Sequence, residues 1–264
     1  MSVSRDRAGN RRKRKEDRRA NHQPLLERVQ DEQIRKQPAR SRKVLIEPLN
    51  AAQRSYDISM RVNVLTIGVG PAGTGKTWLA ATRAAEALRD GETEKIIITR
   101  PAIEAGENLG FLPGEMNEKY EPYFRPVRDA LVETLGGGAL EYHLKAGAIE
   151  ARPLAYMRGA TFKNAWIILD EAQNTTPSQM KMFLTRIGED SRVIVNGDLK
   201  QKDIPGRSGL EDAIERLIGK LPSAEAVFFK RSDIVRSGFC QDVLNAYEGV
   251  ITDVIPDGAQ LSWL

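Results

Sequence analysis

A short glycine-rich stretch carries the residue types that bind a nucleoside triphosphate. Its spacing, Gly-x-x-x-x-Gly-Lys-Thr, is that of a phosphate-binding loop. Glycines let consecutive backbone N–H groups curve around phosphate oxygens, because no Cβ obstructs the turn. In such a loop the lysine reaches the β- and γ-phosphates and the threonine hydroxyl binds Mg²⁺. The predicted phosphate loop consists of Gly70, Pro71, Ala72, Gly73, Thr74, Gly75, Lys76 and Thr77.

The segments on both sides of this loop fit the motif. Residues 62–69 are β-branched and mostly apolar, which predicts a buried parallel strand. Residues 78–88 are rich in Ala and Leu and contain neither Gly nor Pro, which predicts a helix. The alternative is a glycine-rich turn that contains Lys-Thr by chance, and the flanking strand and helix argue against it.

An acidic pair follows another apolar strand further along the chain. Residues 165–169 end directly in Asp170 and Glu171. In a triphosphatase the first carboxylate holds the Mg²⁺ shell, and the second polarises the attacking water as general base. The alternative is that two acidic residues merely cap a strand. Their order and their distance from Lys76 favour the catalytic interpretation, with Asp170 as metal ligand and Glu171 as base.

Composition excludes several classes of protein. With one cysteine, Cys240, and two histidines far apart, the chain has neither a disulfide pair nor an obvious zinc site. These counts favour a reducing cytoplasm, which would be the host's cytoplasm if a phage encodes the chain. We expect no membrane partner, because no apolar run approaches the ~18 residues that a membrane span needs.

The charge is unevenly distributed. Residues 1–43 hold 15 Lys/Arg and 6 Asp/Glu, a net charge of +9, so a total of +4 leaves −5 for the other 221 residues. We predict that residues 1–43 form a basic, largely disordered arm and that residues 44–264 form one domain. The arm would contact nucleic-acid phosphates; a solvated tail that aids solubility is the alternative.

Apolar strands and helices alternate from residue 44 onward. Strands that alternate with helices form parallel sheets covered on both faces, so we predict an α/β fold with three layers and a mainly parallel sheet. Arg100 ends one strand, where an arginine faces the ligand edge of an open sheet. A helix over residues 127–135 is predicted to stop at three consecutive glycines. The predicted strands cover residues 62–69, 94–99, 149–154, 165–169, 193–195 and 226–229.

Several long segments resemble one known family. Together they identify the chain over residues 44–250 as similar to the PhoH family of ATPases, which are related to superfamily-one helicases. The resemblance therefore implies a P-loop NTPase fold of the RecA and helicase type. Besides the phosphate loop, the segments that carry it are residues 100–107, 109–114, 153–159, 168–176 and 179–186.

The resemblance also implies an activity and partners. It implies ATP hydrolysis coupled to nucleic acid, with RNA favoured and single-stranded DNA as the alternative, and protomers assembled into a ring, with a hexamer favoured. Gln201, which follows Gly197-Asp198, resembles the glutamine that senses the γ-phosphate. Arg236 resembles an arginine finger that completes a neighbouring protomer's site in trans. The chain has Asn196 and Lys200 where the family usually has threonine.

Gln53 lies in a helix predicted to run from Asn50 towards Ser59, upstream of the phosphate loop. Many helicase-like ATPases have a glutamine in this region that hydrogen-bonds adenine. An exposed helix glutamine with no ligand is the alternative interpretation, and the sequence does not separate the two.

Two other functions fit parts of the sequence. Phosphate-loop kinases share the first motif, but they usually need a lid with paired arginines, and the region after Glu171 resembles helicase sensor elements instead. A ring-forming assembly protein that uses ATP with slow turnover and separates no strands is the stronger alternative.

Overall fold

Six parallel strands form one sheet in this computed structural model, which describes residues 47–101 and 116–235 together with Val243. The predicted arm, residues 1–43, and the predicted finger, Arg236, lie outside the described residues. The strands are β1 (Leu65–Val69), β2 (Lys95–Arg100), β3 (Ile149–Pro153), β4 (Ala165–Leu169), β5 (Arg192–Gly197) and β6 (Ala224–Phe228), in the order β3-β2-β4-β5-β1-β6.

Helices cover both faces of this sheet, because its strands are apolar on both sides. Successive residues of β4 face opposite ways: Ile168 packs in one hydrophobic cluster, and Ile167 packs in the other. This arrangement confirms the predicted three-layer α/β fold. The helices are α1 (Ala51–Val62), α2 (Lys76–Arg89), α3 (Met116–Leu135), α4 (Gly137–Lys145), α5 (Pro177–Leu184) and α6 (Gly209–Leu217).

The two hydrophobic clusters divide the helices between the faces. The first contains residues of α1 to α4, among them Tyr56, Leu79, Leu131 and Leu140. The second contains residues of α5 and α6, among them Phe183 and Leu210. None of the helices in the described part of the chain is long and apolar enough to span a bilayer.

Two predicted boundaries were wrong. The predicted strand over residues 62–69 begins only at Leu65, because α1 continues to Val62 and the N–H of Asn63 still donates to Ser59 O at 2.9 Å. The helix predicted over residues 127–135 begins at Met116 and includes two prolines. Phe124 and Val127 are buried in the first cluster, so tertiary packing outweighs the local preference against proline.

The helix α3 ends at Leu135, as the three consecutive glycines predicted, but the glycines do not end the helical region as a whole. Only Gly136 breaks it, with a φ of 82°, and α4 begins at the next residue. A left-handed residue between two helices turns the chain sharply, which lets Leu140 of α4 pack into the same cluster as Leu131 of α3.

The parallel arrangement gathers the chemically interesting residues at one edge of the sheet. The phosphate loop follows β1, Arg100 ends β2, Asp170 follows β4 and Asp198 follows β5. These four strands all point the same way, so their carboxyl ends meet at one edge.

Candidate nucleotide site

The predicted site residues from three strand ends line one cleft of about 280 Å³. The phosphate loop forms one wall, the acidic pair after β4 forms another, and the turn after β5 closes the third side. Residues separated by more than a hundred positions in the chain therefore face the same space. The predicted site residues that line this cleft include Gly73, Gly75, Lys76, Thr77, Asp170, Glu171 and Gln201.

The phosphate loop has the backbone conformation that its glycines predict. Gly73 and Gly75 have φ values of 81° and 83°, in the left-handed region that residues with a Cβ rarely adopt. Gly70 is also in a positive-φ conformation, and a Cβ there would lie 2.5 Å from the carbonyl oxygen of Phe229. Both the backbone conformation and the close packing at Gly70 therefore require glycine.

The loop's outer carbonyls are bound by two segments that are distant in sequence. Gly73 O accepts from the N–H of Val235 at 2.8 Å, and Thr74 O accepts from Nε2 of Gln53 at 3.0 Å. Within a trans peptide the C=O and N–H groups point in opposite directions, so the following N–H groups point away from these partners. This is the arrangement that an anion-binding loop requires.

Gln53 is buried rather than exposed, so the interpretation as an exposed helix glutamine was wrong. Its side chain is 4% exposed, and besides its bond to Thr74 its Oε1 accepts from the N–H of Leu49 at 2.8 Å. Both ends of the amide therefore bond to the protein. The structure places Gln53 beneath the phosphate loop, and a contact with adenine stays a prediction.

Lys76 donates to its own loop. Its Nζ lies 2.7 Å from Gly70 O, 2.8 Å from Pro71 O and 3.2 Å from the hydroxyl of Thr74. Burial lowers the pKa of Lys76, and the carboxylates of Asp198, Asp170 and Glu171 oppose that shift. A negatively charged ligand in the cleft would favour the protonated ammonium in the same way.

Thr77 and Asp170 join the two halves of the site. The Thr77 hydroxyl donates to Oδ1 of Asp170 at 3.0 Å, and Oδ2 of Asp170 accepts from Nη2 of Arg100 at 3.1 Å. Burial raises the pKa of Asp170, while Arg100 and the Thr77 hydroxyl oppose the shift. Both contacts favour the charged carboxylate against the cost of its burial.

Glu171 occupies a strained backbone position at the tip of β4. Its φ is 54°, which is uncommon for a residue other than glycine and costs about 1–3 kcal/mol. Two neighbours bind its carboxylate: Nη2 of Arg100 lies 3.1 Å from Oε1, and Nε2 of Gln173 lies 2.7 Å from Oε2. Strain of this kind is typical of functional sites, where the surrounding contacts maintain it.

Gln173 is the residue that sequence reasoning missed. It is fully buried, and in addition to Glu171 its amide binds the turn after β5. Its Oε1 accepts from the N–H of Asp198 at 3.0 Å, and its Nε2 donates to the carbonyl of Gln201 at 3.3 Å. Its position two residues after Glu171, in a segment that resembles the family, was the available signal.

Gln201 and Arg100 also have defined places. Gln201 lies in the short turn Leu199–Gln201. It is exposed and lines the cleft. Arg100, which the sequence placed at the ligand edge of the sheet without a further role, binds both acidic residues, and its Nε is buried without a hydrogen-bond partner among the described residues. The guanidinium is thus held between the two carboxylates.

A buried pair under the loop involves a residue that departs from the family pattern. The hydroxyl of Tyr56 donates to Oδ1 of Asn196 at 2.5 Å, and the Tyr56 ring meets the ring of Phe229 edge-on. The Phe229 ring centroid lies 5.7 Å from Nζ of Lys76. Asn196 therefore ties α1 to β5 behind the phosphate loop, and burial raises the pKa of Tyr56.

These residues fit a triphosphate with Mg²⁺ by their chemistry. A buried ammonium and a loop of left-handed glycines suit phosphate oxygens. Mg²⁺ prefers oxygen ligands, and the Thr77 hydroxyl and the Asp170 carboxylate supply two of them side by side. The residues that could hold the metal are thus Thr77 and Asp170, as the sequence predicts.

Comparison with known proteins decides the family. A family model described as "PhoH-like protein" matches residues 45–248. The chain belongs to the PhoH-like family. It is 46% identical over 230 residues to a PhoH-like protein of Bacillus subtilis, and 51% identical over 202 residues to Protein PhoH of Escherichia coli K12. The first match covers 86% of this chain and 71% of the relative, and the second covers 75% and 57%.

This member of the PhoH-like family is also similar to solved helicase and ATPase structures. The UvsW helicase from bacteriophage T4 aligns with a TM-score of 0.44 at 16% identity, over 76% of this chain and 66% of that one. The Sulfolobus solfataricus SWI2/SNF2 ATPase core in complex with dsDNA aligns with a TM-score of 0.37 at 14% identity, over 58% and 34%.

Proposed function

We propose that this chain is a Mg²⁺-dependent ATPase whose hydrolysis is coupled to the binding or remodelling of nucleic acid, with RNA favoured. One observation carries the hydrolytic part. The phosphate loop and the acidic tip of β4 meet in one cleft, where the Thr77 hydroxyl lies 3.0 Å from Asp170. A triphosphatase needs these two pieces together, because one binds the phosphates and the other activates water.

Lys76 and the loop bind the phosphates in this proposal. Lys76 exchanges its bonds to the loop carbonyls for bonds to the β- and γ-phosphate oxygens, and the N–H groups of the loop surround them. Mg²⁺, when bound, neutralises charge on the same oxygens and orients them. Thr77 and Asp170 supply protein oxygens to it.

Glu171 acts as general base. Its carboxylate accepts a proton from water as the water oxygen attacks the γ-phosphorus, and the bond from that phosphorus to the bridging oxygen breaks. The products are ADP and inorganic phosphate. Arg100 and Gln173 hold one oxygen of Glu171 each, which fixes the direction of the carboxylate before water arrives.

Two further residues have roles that the family resemblance supports. Gln201 contacts the γ-phosphate and reports its presence through the turn that Gln173 binds. Arg236 stabilises transition-state charge in a neighbouring protomer of a ring, with a hexamer favoured, and such a finger is worth about 10³–10⁵ in rate.

The nucleic-acid part has two supports. The family resemblance implies it, and residues 1–43 carry a net charge of +9, which suits phosphate contacts. Because the matches span 71% and 57% of the two relatives named above, the activity of those whole proteins enters here only as a proposal.

The test is the ATP hydrolysis rate, measured with and without defined single-stranded RNA and DNA at two salt concentrations. We expect Lys76→Ala to abolish hydrolysis, and Glu171→Gln to bind ATP but turn over about 10²–10⁴-fold more slowly. Lys163→Ala is the matched control, because Lys163 is an exposed lysine that precedes β4, at the other end of that strand from Asp170, and its described partner is Glu189 on the surface.

The outcomes separate the competing functions. Wild-type turnover in Lys76→Ala or Glu171→Gln would refute the assigned roles. A rate that no nucleic acid changes would refute coupling, and slow turnover with ATP-dependent assembly would favour the ring-forming alternative. Removing residues 1–20 should make the salt dependence of nucleic-acid binding shallower.

A further inference from the structure

The turn that follows β3 presents an aromatic ring to solvent from a rigid base. It is a single 3₁₀ turn, Leu154–Met157, at the edge of the sheet. Leu154 and Met157 are 2% and 0% exposed in the second hydrophobic cluster, whereas Tyr156 between them is 61% exposed. The backbone of the turn is therefore fixed by packing while the ring contacts little of the protein.

A cation without a partner follows the ring. Arg158 is exposed, and among the described residues it makes neither an ion pair nor a hydrogen bond. Two other exposed arginines of the described chain are paired, Arg216 with Asp212 and Arg207 with Glu215. The guanidinium of Arg158 is therefore free to bind a group that the described part of the chain does not supply.

The turn lies beside the nucleotide cleft. Pro153, the last residue of β3, is the register partner of Arg100 on β2, and Thr99 of β2 is the partner of Leu169 on β4. Adjacent strands are about 4.8 Å apart, so two strand spacings, about 10 Å, separate the end of β3 from the end of β4. The turn and the acidic pair thus share one edge of the sheet.

We propose that Tyr156 and Arg158 form a contact surface for single-stranded nucleic acid. The ring of Tyr156 stacks on an unpaired base, and the guanidinium of Arg158 binds a neighbouring phosphate. This inference rests on the proposed function and adds to it the place where the strand is held. A base face is open to stacking only outside a duplex, which is why the ligand is a single strand.

The residues around the ring favour nucleic acid over a protein partner. The other exposed residues of this segment, Ala155, Gly159 and Thr161, are small or polar. A protein interface needs a wider apolar patch around its aromatic anchor than these residues provide. An isolated aromatic ring with an adjacent cation is instead the combination that binds a base and its phosphate.

The position of the turn also connects it to the proposed catalytic residues. Arg100 lies opposite Pro153 in the sheet, and its Nη2 binds both Asp170 and Glu171 at 3.1 Å. A strand held at the turn displaces or orders the tip of β3, and the tip of β2 is hydrogen-bonded to it. Stimulation of hydrolysis by the strand should therefore depend on Tyr156.

The experiment measures anisotropy of fluorescent oligo-uridine RNA and oligo-thymidine DNA with the full-length chain, at low and high salt. We expect Tyr156→Ala to weaken binding about tenfold, Tyr156→Phe to retain it, and Arg158→Ala to reduce the salt slope by about one. Tyr142→Ala is the matched control, because Tyr142 on α4 is 65% exposed. Basal ATP hydrolysis and thermal melting should be unchanged in all four variants.

Each result has one meaning. If the wild-type chain hydrolyses ATP but binds neither oligonucleotide, the proposed coupling fails. If it binds them and Tyr156→Ala binds equally well, the contact surface alone is refuted. A change of oligomeric state in Tyr156→Ala with unaltered oligonucleotide affinity would assign the turn to a protein contact and also overturn the inference. If Tyr156→Ala loses affinity for both RNA and DNA, or for whichever of the two the wild-type chain binds more tightly, the inference is supported.

Discussion

The Thr77 hydroxyl donates to Oδ1 of Asp170 at 3.0 Å, although 93 positions separate the two residues in the chain. In the sheet, β5 is the single strand between β1 and β4. The ends of β1 and β4 that carry these two residues are therefore close to each other at one edge of the sheet. It brings a hydroxyl and a carboxylate, two oxygen ligands that Mg²⁺ accepts, to the point where the phosphate loop becomes α2.

Removing that hydroxyl should weaken the metal site. We expect Thr77→Ala to raise the Mg²⁺ concentration for half-maximal ATP hydrolysis by about tenfold or more, because one ligand and one partner of the buried Asp170 carboxylate are lost. Thr77→Ser keeps the hydroxyl and should remain close to wild type. Equal Mg²⁺ dependence in the two variants would remove Thr77 from the metal site.

Gln173 should position the general base through its charge-neutral amide. In Gln173→Glu a carboxylate replaces the amide that donates to Glu171 at 2.7 Å, so an attractive contact becomes a repulsion between like charges. We expect this repulsion to turn the carboxylate of Glu171 away from the attacking water and to lower kcat by about 10²-fold or more, measured as the steady-state rate of ATP hydrolysis. Gln173→Leu removes the bonds without adding charge.

The leucine variant is the control for the glutamate variant. We expect Gln173→Leu to lower kcat less than Gln173→Glu does, because it removes the hydrogen bonds but introduces no charge near Glu171. Both variants should bind ATP with nearly wild-type affinity, since Gln173 bonds to the acidic tip and the turn after β5 rather than to the phosphate loop. A wild-type kcat in both variants contradicts the positioning role.

A substitution of Gln53 can distinguish two roles for this side chain: support of the phosphate loop and recognition of adenine. Its Nε2 binds Thr74 O at 3.0 Å inside the protein, so we expect Gln53→Ala to weaken ATP and GTP binding by a similar factor, about three- to tenfold. A glutamine that reads adenine would instead affect ATP alone. Equilibrium binding of both nucleotides to the variant makes the distinction.

Gly70 should be intolerant of a side chain. Its φ is 147°, and a Cβ would lie 2.5 Å from Phe229 O, so we expect Gly70→Ala to lower the free energy of unfolding by about 2–4 kcal/mol. Gly219→Ala is the control: its φ is 76°, but a Cβ there meets nothing within 4 Å, so only the backbone cost of about 1 kcal/mol applies. Chemical denaturation measures both, and equal losses would contradict the close packing at Gly70.

Short stretches of the sequence were sufficient to predict those elements whose signals lie within the stretch itself. The glycines of residues 70–77, the apolar run that ends in Asp170-Glu171 and the alternation of strands and helices were sufficient for the fold class and for most of the candidate site. Each of these signals depends on spacing within about ten residues. The extension of α3 through two prolines was not predictable in this way, because packing of Phe124 and Val127 decides it.

The sequence by itself determined which residue types could bind phosphate and activate water, because backbone freedom, charge and apolar periodicity are properties of short segments. Only the tertiary structure decided their partners. The order β3-β2-β4-β5-β1-β6 sets which strand ends are neighbours, and that order is a result of global packing. For this reason the support of the loop by Gln53, the bridge of Gln173 between two strand tips and the hold of Arg100 on both carboxylates emerged from the fold alone.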